Sequence, residues 1–287
     1  MTRRVPGALA ALILLVVAVP CAAQRSYAGF DRNDYPGDGS LAALRKSFFY
    51  AGYWLNDPPG AQTNSWVGKR ELLKQTGFGF LVLFNGRLDA ELKGNDAAAL
   101  GTADGQAALA AAAREGFAAD VRIFLDQEEG GRLLPEQAAY LFGWVDAVRA
   151  GGARAGVYCS GIDVPEGHGT ISTARDIAER EQARLTSAHE AGKREELALW
   201  IANDACPPSP GCTLKNPPLR AVVTPALKDF AVVWQYAQSP RRAGSSRACP
   251  ANDEPDGNCY APGLAETPNS IVDLNSADSA DPSEEHR

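Results

Sequence analysis

The feature that most restricts how this chain can fold is a series of eight short apolar runs, each too short for a helix and rich in β-branched or aromatic residues. They lie at Tyr27–Asp31, 48–54, 79–84, 121–126, 153–159, 197–202, 230–236 and 270–274. Between several of them lie segments of helical character: 101–115 is alanine-rich, Pro135–Ala150 opens with proline at a first helical position, and 173–193 is polar and charged. Strands alternating with helices long enough for a parallel crossover predict an α/β fold. Eight strands in roughly 250 residues suit a closed TIM-like (β/α)8 barrel better than an open doubly wound sheet. The open sheet would need a Gly-rich nucleotide turn. Gly130-Gly131 lack its spacing, and Gly151-Gly152 precede a strand instead of following one. From 239 to 269 no helical period is found, so the last crossover of the barrel is expected to be degenerate.

Composition narrows the class of partner. Of the 287 residues 45% are hydrophobic, which suits a core-forming protein, and 35 acidic side chains against 28 basic ones give a charge of −7. That balance argues against a nucleic-acid partner, which would need a basic surface facing phosphates. Residues 1–23 read as a secretory signal peptide: Arg3 and Arg4, an apolar run from 8 to 19, then Pro20 and Ala22-Ala23. The run is too short to span a membrane comfortably. Cys21 as a lipoprotein acceptor and Thr2-Arg3-Arg4 as a twin-arginine start are weaker readings of the same segment. Cleavage would take the charge to −9 and leave a secreted or periplasmic protein with no membrane span. The expected division is therefore a signal at 1–23, a barrel domain at 24–275 and a disordered acidic tail at 276–287.

An exported chain can oxidise its cysteines. Cys206 with Cys212 and Cys249 with Cys259 form the simplest pair of short loop-closing disulfides, although four cysteines allow three pairings. Cys159, between apolar neighbours, reads as a buried and inert thiol. No pair has C-x-x-C spacing and there are only three histidines, so neither a metal nor a cofactor is expected.

In such barrels the chemistry sits at the carboxyl ends of the strands. Asp31 ends the first run, Asp126-Gln127-Glu128-Glu129 the fourth, Trp234-Gln235-Tyr236 the seventh and Asp273-Leu274-Asn275 the eighth. Residues two apart on a strand share a face, so Asp126 and Glu128 project together. Two adjacent carboxylates push one pKa up, leaving one group as an acid while the other stays ionised, as glycoside hydrolysis requires. The alternative is a solvated strand lip in which these acids pair with Arg122, Arg132 or Lys69. Asp31 and Asp273 would meet across the barrel seam at the same mouth. Trp54, Tyr158, Trp200, Trp234 and Tyr236 lie in the runs, most of them near the ends, where aromatic walls would suit the apolar faces of sugars. Ser160 is no nucleophile elbow, because the preceding glycine of G-x-S-x-G is missing.

Taken in order, Gly29-Phe30-Asp31, Leu125-Asp126-Gln127-Glu128, Gly156-Val157-Tyr158, Leu199-Trp200, Trp234-Gln235-Tyr236 and Val272-Asp273-Leu274-Asn275 resemble family 25 glycoside hydrolases. Tyr53-Trp54-Leu55, Lys69 and Glu71 before Leu72-Leu73, and Gly101, Asp104 and Ala107 before an alanine-rich helix are still more similar to the related glycoside-hydrolase-like family called domain of unknown function 1906. The resemblance implies a barrel enzyme of the lysozyme or muramidase type, cutting a peptidoglycan-like glycan strand. It implies Glu128 as general acid, Asp126 as the partner that orients the substrate or stabilises the developing cation, and Asp31 and Asp273 as supporting acids. Trp234 and Tyr236 would shape the sugar site, and the acetamido oxygen of the substrate would serve as nucleophile. Asp31 is followed here by Arg32-Asn33, where lysozymes of the family carry small apolar and hydroxyl residues, and Glu129 adds a third acid. The rival reading is a catalytically inactive, carbohydrate-binding or envelope-associated protein on the same barrel.

Overall fold

The computed structural model describes residues 26–187, 197–203, 227, 230–237 and 272–284. The signal at 1–23, the four cysteines assigned to disulfides and the segment 239–269 lie outside these residues.

The described elements run β1 (Tyr27–Asp31), a 3-10 turn (Asp38–Ser40), α1 (Leu41–Leu44), β2 (Tyr50–Trp54), α2 (Arg70–Thr76), β3 (Gly79–Asn85), α3 (Asp89–Leu92) and α4 (Ala97–Arg114). They continue with β4 (Arg122–Gln127), α5 (Pro135–Ala150), β5 (Arg154–Ser160), β6 (Val164–Glu166), β7 (Gly169–Ile171), α6 (Thr173–Ser187), β8 (Ala198–Ala202), β9 (Ala231–Ala237) and β10 (Asp273–Ala277). Eight strands close into a barrel in the order β1-β10-β9-β8-β5-β4-β3-β2, and β6 and β7 form a small separate hairpin. No described helix is long and apolar enough to cross a membrane.

The α/β barrel is the expected one, with a change at its seam. β10 runs antiparallel to both β1 and β9, whereas the other neighbouring pairs are parallel. An antiparallel neighbour can be joined without a crossover helix, and this removes the need for the helical period that 239–269 lacks. The strand itself begins where the sequence run at 270–274 was expected to end.

For residues 276–284 the structure replaces the expected disorder with ordered chain. Ser276 and Ala277 complete β10, and the chain then turns beneath the barrel. Ser283, fully buried, fits between β3 and β4 where they splay below their first paired residues, Val82 and Ile123. Its N–H donates to the Phe80 carbonyl (3.0 Å) and its carbonyl accepts from Arg122 N (2.8 Å). Its hydroxyl takes the Val82 N–H (2.9 Å), and Asp281 Oδ1 takes that of Phe80 (3.0 Å). The segment is polar because it satisfies backbone groups at the barrel floor, which a composition argument reads as solvation.

Two layers of packing set the barrel's shape. Outside the strands, Tyr53, Phe80 and Phe117 meet edge-on at 5.2–6.0 Å, and Phe30 packs against Phe48 and Phe78. Inside, glycines admit large rings: a Cβ at Gly29 would fall 2.0 Å from the Tyr50 ring, and one at Gly156 2.5 Å from that of Phe124. Cys159 is buried as expected, and burial pushes its thiol well above the usual range.

Helices α4 and α5 touch backbone to backbone. A Cβ at Gly101 would sit 2.0 Å from the Tyr140 carbonyl oxygen, and one at Gly143 2.5 Å from that of Ala98. Gly101→Ala must force the helices apart, and we expect it to cost about 2 kcal/mol or more, read as a lower urea midpoint at unchanged slope.

Candidate active site

The mouth of the barrel is the end where the parallel strands finish. β1 ends there in Asp31, and because β10 is antiparallel its first residue, Asp273, lies opposite Asp31 in register. β4 brings Asp126 alongside Asn85 of β3 and Tyr158 of β5. The structure thus gathers the four acids expected from the sequence: the Tyr158 hydroxyl lies in the field of Asp31, Asp126, Glu128 and Asp273 together.

Their environments differ. Asp31 is buried beside Gly52, where a Cβ would lie 2.6 Å from the Asp31 Cβ. Asn275 Nδ2 (2.6 Å) and Gln235 Nε2 (3.1 Å) both donate to its Oδ1. Burial pushes its carboxyl up to about 6 against the opposing pull of those two donors, and Glu128 adds a smaller upward push. Asp126 is buried at the tip of β4, and among the described residues its Oδ1 has no hydrogen-bond partner. Burial first, then the negative charges of Glu128 and Asp31, raise it well above the carboxylate range. Glu128 lies on the exposed lip just beyond β4, and partial desolvation raises its carboxyl more modestly. The Asp126–Glu128 hydrogen bond pushes Asp126 up and Glu128 down. Within the pair, burial and the neighbouring negative charges raise Asp126 further than Glu128.

The loop carrying Glu128 is fixed from both sides. Glu129 Oε2 accepts from Asp89 N (2.8 Å) and Gln137 Nε2 (2.6 Å), so this third acid is a structural anchor. Leu133 N donates to Asp176 Oδ2 (3.0 Å) on α6. Gly86 N–H donates to the Asp126 carbonyl, close enough that a Cβ at Gly86 would fall 2.5 Å from that oxygen. The cations considered as partners for the strand lip are engaged elsewhere. Lys69 pairs with Asp38, Arg132 with Glu166 and Asp176, and Arg122 donates to the Pro282 carbonyl at the floor.

The expected aromatic wall is mostly interior. Trp200 is fully buried and Trp54, Trp234 and Tyr236 nearly so, while Tyr158 keeps exposed surface. The Trp54 indole donates to the Arg32 carbonyl (3.0 Å) and the Trp234 indole to the Asn203 carbonyl (2.9 Å), with the Trp234 and Tyr236 rings 6.2 Å apart. On β9 it is Gln235, between them in sequence, that reaches Asp31. Gln235 and Asn275 were missed because they carry no charge. The alternation that pairs Asp273 with Asn275 on one face was the available signal. Leu88, Leu134 and Ile162, exposed in the segments that follow β3, β4 and β5, add apolar surface around the mouth. Among the described residues no cluster of three or more His, Cys, Asp or Glu could hold a metal ion.

The chain is similar to several solved structures, and the first of them shares its fold. An uncharacterized B. stearothermophilus protein superposes with a TM-score of 0.57 at 18% identity, covering 88% of this chain and 95% of the other. The Tat-secreted protein Rv2525c of Mycobacterium tuberculosis, in complex with L-tartrate, gives 0.48 at 14% identity, covering 88% and 95%. A family 25 glycosyl hydrolase from Bacillus anthracis gives 0.42 at 12%, covering 88% of each chain. No curated protein matches the sequence. The profile of the Rv2525c-like, glycoside hydrolase-like domain matches residues 53–204, from within β2 to just past β8 and through the Asp126–Glu128 pair. That match takes in just over half of the chain, which belongs to this glycoside hydrolase-like family.

Proposed function

We propose that the protein is an exported glycoside hydrolase acting on a peptidoglycan-like envelope glycan, with Glu128 as general acid and Asp126 as its partner. The observation that carries this reading is the Asp126–Glu128 carboxyl pair beside Asp31: one carboxyl buried and pushed well above the usual range, its neighbour on the open lip. The buried member is a proton reservoir. Transfer along the hydrogen bond places the proton on Glu128, which delivers it to the glycosidic oxygen as the C–O bond breaks. Asp126, now ionised, and Asp31 face the positive charge that develops on the sugar, whose carbon is captured by the substrate's acetamido oxygen and then by water, the water's proton returning to Glu128. Tyr158 and the exposed Leu88, Leu134 and Ile162 offer apolar surface to sugar rings. Export is supported by the basic and apolar pattern of 1–23.

The pH dependence follows from the same groups. Asp31 must be ionised, so the rate rises with pH through about 6. It falls again where the Asp126–Glu128 pair gives up its proton. The test is release of reducing ends from purified cell-wall glycan. Glu128→Gln is expected to lower it by about two to four orders of magnitude. Equal release by both proteins would end the assignment, and binding by the wild type without release would select the inactive carbohydrate-binding alternative.

A further inference from the structure

Asp31 sits at the end of a chain of side chains that the proposed hydrolysis does not itself require. The Trp200 indole N–H donates to Asn275 Oδ1 (2.8 Å), and Asn275 Nδ2 donates to Asp31 Oδ1 (2.6 Å). On the other side, the Tyr158 hydroxyl donates to Gln235 Oε1 (2.9 Å), and Gln235 Nε2 donates to the same Asp31 oxygen (3.1 Å). An amide can present either its oxygen or its nitrogen, and the choice is set by what stands behind it. An indole can only donate, so Asn275 must turn its oxygen to Trp200 and its N–H to Asp31. Trp200 is itself held, fully buried, with the Tyr158 ring 4.7 Å and the Phe124 ring 6.1 Å away.

We propose that Trp200 is a positioning residue which, by fixing the amide of Asn275 as a donor, holds Asp31 as a carboxylate anchored through Oδ1, with Tyr158 bracing Gln235 on the other side. Neither bond uses Oδ2, which leaves that oxygen for a ligand in the mouth. The surroundings otherwise oppose a carboxylate there. Glu128 from the loop after β4, Asp126 from β4, Asp273 from β10 and the phenols Tyr50 from β2 and Tyr158 from β5 all face it. Two oriented N–H groups are the counterweight. The role in turnover rests on the proposed function, but the clamp on Asp31 does not, so the two can fail separately.

The experiment follows the Asp31 carboxyl by carbon NMR in the intact protein across pH 4–9, alongside the pH profile of glycan cleavage. Trp200→Phe keeps an aromatic ring and removes the donor. Asn275 can then turn its oxygen to Asp31, and the midpoint is expected to rise by at least about one pH unit. Tyr158→Phe keeps the ring at a partly exposed position, removes the hydroxyl that braces Gln235, and is expected to raise it by a smaller amount. Trp66→Phe loses an indole donor to the Asn33 carbonyl outside this chain of bonds and should leave the midpoint in place. An unmoved midpoint in both folded variants, or an equal shift in Trp66→Phe, overturns the proposal. If the midpoint rises and no glycan is cleaved by the wild type, the clamp stands and the hydrolase reading falls. If cleavage needs Glu128 while the midpoint ignores Trp200 and Tyr158, the reverse holds.

Discussion

Asp126→Asn is expected to melt about 3–6 °C above the wild type at pH 8 while cleaving glycan at least about 100-fold more slowly. Asp126 is buried, its Oδ1 has no partner among the described residues, and burial and two neighbouring carboxylates raise its pKa in the fold. A raised carboxyl pKa means that the folded state holds its proton longer than the unfolded chain does. The group's contribution to stability is therefore full at low pH and is lost as pH rises from the unfolded value of 3.8 toward the raised folded one. Asparagine does not titrate and keeps a donor toward Glu128. The gap between the two proteins should be small near pH 4, widen with pH and then level off. Thermal melts at pH 4, 6 and 8 measure it. A gap that narrows as pH rises would contradict the protonation assigned to the pair. The same substitution removes the proton reservoir, so stability and rate move in opposite directions, as expected where a site is held against its own electrostatic preference.

Truncation after Ala277 is expected to be the most damaging change at the end of the chain. Removing Asp278 onward strips partners from the N–H groups of Phe80, Val82 and Arg122 and from the Phe80 carbonyl. It also deprives Arg122 and Arg154 of the Pro282 and Ser283 carbonyls, and Arg70 of Glu284. At about 1 kcal/mol or more for each buried group left unsatisfied, the sum approaches the whole stability of an ordinary domain, about 5–15 kcal/mol. The truncated protein should be insoluble or melt at least about 10 °C lower. Ser283→Ala loses only the hydroxyl bond to Val82 and should cost about 1–2 kcal/mol. If the truncated protein melts like the full chain, the floor segment is not part of the stabilising structure.

What could be read from the sequence depended on whether a residue's task left a periodic or chemical mark. Tyr27–Asp31 and Pro135–Ala150 were legible to the residue, the first from its two aromatic residues and closing acid, the second from its opening proline. Asp126 and Glu128 drew notice because two like charges spaced two apart at a strand end are costly unless used, and the structure places Asp126 in β4 with Glu128 just beyond it. β10 was read three residues early at its start because its sequence, Asp-Leu-Asn-Ser-Ala, is largely polar. Asn275 and Ser276 are buried in it nonetheless, and Asn275 is occupied with Asp31 and Trp200. Helices α1 and α3, four residues each, leave too few turns for a period to show. The floor segment escaped notice because hydrogen bonding to strand ends requires the residue types that also make a chain soluble. Its partners, more than a hundred residues away in sequence, gave no local hint.

The floor segment also fixes the polarity of any attachment. Glu284, paired with Arg70, lies at the end of the barrel opposite Asp31 and Glu128. A linker that follows Glu284 directly starts from beneath the barrel, so protein captured on a bead or sensor chip by that route presents its acidic mouth to the solution. Capture through residues near Glu128 would turn the same mouth against the support.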